Sequence, residues 1–101
     1  MNILILKNGK VEIRNVNGTM VATIGNGDVI FADFNDDQTL IVITTSKGKV
    51  EIRKPNGTIV SSSIGNGDAT GARWYGNEIA ISTKDGKTEI RNINGSIVKR
   101  F

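Results

Sequence analysis

Gly48-Lys49-Val50-Glu51-Ile52-Arg53, followed after two residues by Asn56-Gly57-Thr58-Ile59-Val60, is the stretch whose reading decides the fold. It has two near-copies. Gly9-Lys10-Val11-Glu12-Ile13-Arg14 leads to Asn17-Gly18-Thr19-Met20-Val21, and Gly86-Lys87-Thr88-Glu89-Ile90-Arg91 leads to Asn94-Gly95-Ser96-Ile97-Val98. The marker glycines 9, 48 and 86 stand 39 and 38 residues apart. A period of that size belongs to repeat architectures, in which each unit buries its apolar face only against a neighbour. Ile24-Gly25-Asn26-Gly27-Asp28 also returns, as Ile64-Gly65-Asn66-Gly67-Asp68. Repetition and packing therefore explain the shared residues first, and function second.

Every part of the unit reads as strand. Ile3-Leu4-Ile5-Leu6 matches Leu40-Ile41-Val42-Ile43 and Ile79-Ala80-Ile81, short continuous apolar runs of the kind found in fully buried strands. Val11 and Ile13 alternate with Glu12 and Arg14, the period of two that puts successive side chains on opposite faces. Asn8-Gly9, Lys47-Gly48 and Asp85-Gly86 close one hairpin, and Asn17-Gly18, Asn56-Gly57 and Asn94-Gly95 close the next. Asn-Gly and Asp-Gly supply the positive φ that tight hairpins require. The single proline, Pro55, falls between strands, where its missing N–H removes no ladder bond. The pattern predicts eleven strands, near 3–7, 10–14, 19–24, 29–34, 40–45, 49–53, 58–63, 69–75, 78–83, 87–91 and 96–100.

This order resembles the blade of a Trp-Asp-repeat (WD-type) β-propeller. Residues 28–37 are similar to that family's innermost strand and following turn, 39–45 to its second strand, 49–53 to its third and 58–64 to its outermost. The resemblance spans essentially the whole chain. Where the family usually ends its third strand on Trp-Asp, this chain has Arg14-Asn15, Arg53-Lys54 and Arg91-Asn92. The Gly-His before its inner strand is replaced by Gly27-Asp28 and Gly67-Asp68. The resemblance implies an all-β fold of four-stranded antiparallel blades in one repeat domain, 1–101, with units of approximately 1–27, 28–67 and 68–101. It also implies a non-enzymatic scaffold or macromolecular interaction module.

The first unit begins at what should be its second strand. Either that blade is three-stranded beside the axis, or the labelling is off by one and the outer edge is short. Closed propellers typically hold about 4–8 blades of four strands. Just under three blades would leave apolar faces bare at both ends, and such faces drive association. The expectation is a homodimer closing a roughly six-bladed ring around a channel, by the two-fold contact that oligomers favour.

Composition removes most catalytic chemistry. There is no cysteine and no histidine, hence no disulfide or thiolate metal site, no usual general base and no usual zinc ligand. No catalytic site, metal or cofactor is expected. The net charge of +3 is mild and its Lys and Arg are scattered, so nucleic acid is not the expected partner. No apolar run approaches the roughly 18 residues of a spanning helix, and the first residues lack the features of a signal peptide. That is compatible with a cytoplasmic protein and assigns no compartment.

Arg14, Arg53 and Arg91 recur at one position, with Glu12, Glu51 and Glu89 on the same strand face. They read either as a ring of ligand contacts or as structural residues in the slot of the WD-type tryptophan. The structural reading pairs each with a carboxylate on a neighbouring strand or blade, Asp28 or Asp68 being the candidates. Gly25-Asn26-Gly27-Asp28 and its copy suggest a phosphate cradle or a calcium turn. The first needs a helix N-terminus and the second a nine-residue repeat, so both read as turns. Asp36-Asp37 reads as a hairpin turn. Asp33 and Arg73 match on the two inner strands, as do Phe34 and Trp74. Arg73-Trp74-Tyr75 breaks the repeat, which makes Asp33, Arg73, Trp74 and Tyr75 the candidate ligand-binding residues. A lectin-like carbohydrate binder is the alternative function. One Trp and one Tyr in the chain fit poorly with an aromatic pocket in every blade.

Overall fold

The computed structural model describes residues 1–101 as an all-β chain. Eleven strands form three antiparallel sheets. The first holds β1 (Asn2–Lys7), β2 (Lys10–Asn15) and β3 (Met20–Ile24), in that spatial order. The second holds β4 (Val29–Phe34), β5 (Ile41–Thr45), β6 (Val50–Arg53) and β7 (Ile59–Ile64). The third holds β8 (Ala69–Tyr75), β9 (Glu78–Thr83), β10 (Thr88–Arg91) and β11 (Ile97–Arg100). Each sheet is a meander, because tight turns admit only antiparallel neighbours. No helix is long and apolar enough to cross a membrane.

The three-stranded alternative for the first unit is the one observed. Ile3 pairs with Arg14 as Ile41 pairs with Arg53 and Ile79 with Arg91, so β1 is the counterpart of β5 and β9. No strand stands where β4 and β8 stand in the other sheets.

Two apolar cores form between successive sheets. Val11, Ile13 and Ile24 of the first sheet meet Val29, Ile41 and Ile43 of the second. Val42, Val50, Ile52 and Ile64 of the second meet Ala69, Ile79 and Ile81 of the third. The middle strand β5 therefore buries both faces, Ile41 and Ile43 one way and Val42 the other, which is why it reads as an unbroken apolar run. Backbone bonds tie the sheets together at the marker glycines. Val29 N–H donates to the Gly9 carbonyl at 2.9 Å, and Ala69 N–H to that of Gly48 at 3.1 Å. A Cβ on Gly9 or Gly48 would lie 2.0 or 2.2 Å from the carbonyl oxygen of Gly27 or Gly67 respectively. Glycine is required there by close approach of backbone as well as by positive φ.

Candidate functional site

Each recurring arginine forms the same clamp. The Arg14 Nε donates to Glu12 Oε1 at 3.2 Å and its Nη1 to the Gly18 carbonyl at 2.6 Å. Arg53 repeats this with Glu51 at 3.1 Å and Gly57 at 3.1 Å, and Arg91 with Glu89 at 2.9 Å and Gly95 at 2.7 Å. The guanidinium thus joins a carboxylate two residues back to the carbonyl of the following turn. A register shift falls immediately before each arginine, at Ile13/Arg14, Ile52/Arg53 and Ile90/Arg91. A bulge of this kind re-aims a side chain.

This corrects the expected pairing. The carboxylate lies on the arginine's own strand, not on a neighbouring strand or blade, and it is neither Asp28 nor Asp68. Those two instead extend the sheets: their carbonyls accept from Ser46 N–H at 2.7 Å and Lys84 N–H at 3.0 Å. Asp28 lines a small cleft with Arg53 and Glu51, but makes no ion pair with them.

The inner-strand candidates separate. Asp33 and Trp74 meet: the indole Nε1–H donates to the Asp33 carbonyl at 3.0 Å, and the Trp74 backbone N–H to its carboxylate at 3.3 Å. The Trp74 ring packs on the core between the second and third sheets. Arg73 and Tyr75 are exposed. Arg73 lines a cleft of about 320 Å³ with Phe31, Thr70, Gly71, Ala72 and Ser82. Phe31 and Gly71 were not singled out from the sequence, although they occupy equivalent positions and break the repeat. The Phe31 ring lies over Gly71 of β8, close enough that a Cβ there would touch it at 3.5 Å, an ordinary van der Waals contact. No group of three or more acidic side chains is arranged to hold a metal.

The largest departures from internal equivalence lie on the outer faces of the end sheets. Ile3 and Ile5 are 49% and 36% exposed, whereas their counterparts Ile41, Ile43, Ile79 and Ile81 are at most 1% exposed. Phe101 is 67% exposed, while Ile24 and Ile64, at the same repeat position, are each 3% exposed. Val16 is exposed; its counterpart Ile93 packs on the core of the preceding junction. The same residue types at the same positions are buried wherever a neighbouring sheet is present.

No protein-family model matches the chain, and no curated protein matches it. Solved structures do. BamB from Moraxella catarrhalis is similar over 97% of this chain, with a TM-score of 0.78 and 18% identity. KlHsv2 with loop 6CD replaced by a Gly-Ser linker is similar over 93%, with a TM-score of 0.76 and 13% identity. The C-terminal WD40 domain of Sif2 is similar over 94%, with a TM-score of 0.72 and 16% identity. The chain spans about a third of those chains, 31%, 35% and 31% respectively. At these identities the likeness carries the fold alone: the sheets are WD-repeat-like propeller blades.

Proposed function

We propose that this protein is a non-enzymatic β-propeller scaffold, an interaction module whose working unit is a homodimer closing one roughly six-bladed ring. One observation carries the reading: Ile3 and Ile5 lie bare on the first sheet, while the isoleucines at the same positions in both other sheets are buried by the sheet before them. The third sheet of a second copy supplies a neighbour of the right kind. Covering an isoleucine that is about half exposed contributes ~1 kcal/mol, and a two-fold ring does so at both junctions. The blade units 1–27, 28–67 and 68–101 then act as one repeat domain, with Asp33 and Arg73 near the channel.

Light scattering at micromolar concentration tests this. The chain mass is 10.9 kDa, so the dimer expected is about twice that. Ile3→Asp combined with Ile5→Asp should give a folded monomer, since both side chains already reach solvent in the single chain. A wild-type monomer or trimer would overturn the six-blade ring, and a variant that stays dimeric would overturn the choice of face.

A second, lectin-like reading has one observation in its favour. The cleft at Phe31 sets an exposed aromatic ring beside Arg73 and the hydroxyls of Thr70 and Ser82, groups able to stack on a sugar and hydrogen-bond it. A glycan array with wild type and Phe31→Ala tests it: binding lost with the ring supports the reading, and an empty array removes it.

A further inference from the structure

We infer that Asn26 and Asn66 are covalent modification sites. Each condenses with the glycine after it to a succinimide, and water then leaves aspartate or isoaspartate in its place. Both lie in connectors between sheets, so the reaction is the same in a single chain and in a ring.

The chain holds six Asn-Gly pairs, beginning at Asn8, Asn17, Asn26, Asn56, Asn66 and Asn94. The chemistry open to each is the same. The Gly N–H loses its proton to solvent and the nitrogen attacks the asparagine Cγ. A C–N bond forms there, the Cγ–Nδ2 bond breaks and ammonia leaves. Water opens the ring at either carbonyl, so water is consumed and ammonia released. Glycine suits the attack because no Cβ shields its nitrogen. Two freedoms are needed: an N–H not held by an acceptor, and an asparagine able to turn its Cγ onto that nitrogen.

The fold sorts the pairs. Gly18 N–H donates to the Asn15 carbonyl at 2.9 Å, Gly57 N–H to that of Lys54 at 2.8 Å, and Gly95 N–H to that of Asn92 at 2.9 Å. Asn56 is tied as well, its Oδ1 accepting from Thr58 N–H at 3.0 Å. Asn8-Gly9 is restrained differently. It is the tight turn between the paired Lys7 and Lys10, and the Gly9 carbonyl accepts from Val29 N–H at 2.9 Å. Turning Asn8 onto Gly9 would disturb hairpin and sheet junction together. Asn26-Gly27 and Asn66-Gly67 carry no such restraint. Neither Gly27 nor Gly67 N–H has an acceptor in the protein, and both pairs are exposed. No atom lies within 4 Å of where a Cβ on either glycine would be. Each asparagine also stands between two glycines, 25 and 27 or 65 and 67, so no neighbouring side chain blocks its rotation.

The product reaches the junction between sheets. Gly27 and Gly67 set their carbonyls against Gly9 and Gly48 too closely to admit a Cβ. Isoaspartate carries the main chain through its own Cβ and is one methylene longer, immediately before that contact. The bonds from Val29 N–H to Gly9 and from Ala69 N–H to Gly48 lose their fit.

The test holds the full-length folded protein in mildly alkaline buffer, beside the same protein in guanidinium chloride. Trypsin at mildly acid pH then releases residues 15–47 and 54–73, since Lys54 precedes Pro55. Each peptide carries a held and a free site, Asn17 with Asn26 and Asn56 with Asn66, so fragment masses compare them within one molecule. Because attack at a held site must first break the turn bond, Asn26 and Asn66 should react at least about fivefold faster in the folded protein. In guanidinium the rates should converge. Electron-transfer fragmentation should find isoaspartate as well as aspartate. Aged wild type should melt below fresh protein, and Asn26→Gln combined with Asn66→Gln should keep its melting temperature, because glutamine would have to close a larger ring. If that variant fails to fold, the peptide comparison still decides. Equal rates in the folded protein, the same bias in guanidinium, or aspartate without isoaspartate would overturn the inference. Aged wild type that melts like fresh protein would overturn the effect on the junction.

Discussion

Gly48→Ala against Gly86→Ala asks how one substitution, at one repeat position, behaves with and without a neighbouring blade. Both glycines hold a left-handed backbone, with φ of +81° and +82°. An alanine in that conformation costs about 1–2 kcal/mol, partly offset by roughly 0.4–1 kcal/mol because the unfolded chain loses freedom. At Gly86 no atom lies within 4 Å of the new Cβ, so the net loss should be ~1 kcal/mol. At Gly48 the Cβ would lie 2.2 Å from the Gly67 oxygen and 2.7 Å from its carbonyl carbon. Those are backbone atoms, with no flexible side chain to swing aside, and moving them strains the bond from Ala69 N–H to the Gly48 carbonyl. Losing a buried backbone bond adds about 1–3 kcal/mol, which brings Gly48→Ala to ~3 kcal/mol. Thermal unfolding at fixed protein concentration reads this directly, at about 4–8 °C per kcal/mol for a domain of this size. Gly48→Ala should fall by at least ~12 °C and Gly86→Ala by ~4–8 °C. Gly9→Ala, whose Cβ would meet the Gly27 oxygen at 2.0 Å, should follow Gly48→Ala. Gly48→Ala and Gly86→Ala falling within about 0.5 kcal/mol of each other would refute the account of how the sheets are joined.

Arg91→Ala leaves Glu89, 5% exposed, with only Arg100 at 3.2 Å, and should cost about 3 kcal/mol in urea unfolding. Arg14→Ala breaks a pair that is a third and a fifth exposed, more than the 9% and 7% of Arg91 and Glu89, and should cost under ~1 kcal/mol in urea unfolding of the monomer at low protein concentration. Thr44→Val removes a buried hydroxyl that has no hydrogen-bond partner and should be neutral or stabilise by up to ~1 kcal/mol, measured the same way. Asp37 is held below the ordinary carboxylate value first by the Thr39 hydroxyl and then by the Thr39 backbone N–H. Its contribution to stability is therefore present above the unfolded-state value and is lost as pH falls through the folded one. Thr39→Val should raise the Asp37 midpoint in an NMR titration, and an unchanged midpoint would show that the hydroxyl is not the cause.

The strands were legible because alternation and Gly turns are written residue by residue. Observed and expected limits differ by no more than a residue at each end, as at β3, which starts at Met20 rather than 19. The arginine clamp was only half legible. Glu12, Glu51 and Glu89 stood visibly at i−2, but which carboxylate each arginine reaches depends on the bulge before it, and a bulge leaves no mark in residue type. The inner-strand cluster divided for a similar reason. Trp74 and Arg73 are adjacent in sequence, and the pleat sends one ring into the core and the other side chain to the surface. The Phe31–Gly71 contact was available as a break in the repeat, but its meaning needed the distance between two sheets.

In the proposed ring, the junction between copies differs chemically from the two within a chain. The contact positions occupied by Val11 in the first sheet and Val50 in the second carry Thr88 in the third. Leu6 and Thr44 are replaced there by Ser82, and Ala22 and Ser61 by Lys99. Relative to the first sheet, each change trades an apolar side chain for a polar or charged one, as Thr88 does for Val50 of the second, which weakens burial by about 1 kcal/mol where an aliphatic side chain is lost. The intermolecular junction must also offset the lost freedom of a second molecule, a cost the covalent junctions escape. The two effects act in the same direction. The ring should open between chains before any blade separates within one, so dilution should yield monomers whose circular dichroism matches that of the dimer. Sedimentation velocity across a concentration series measures this. Loss of β signal in step with loss of the dimer would mean instead that the single chain cannot hold its own two cores.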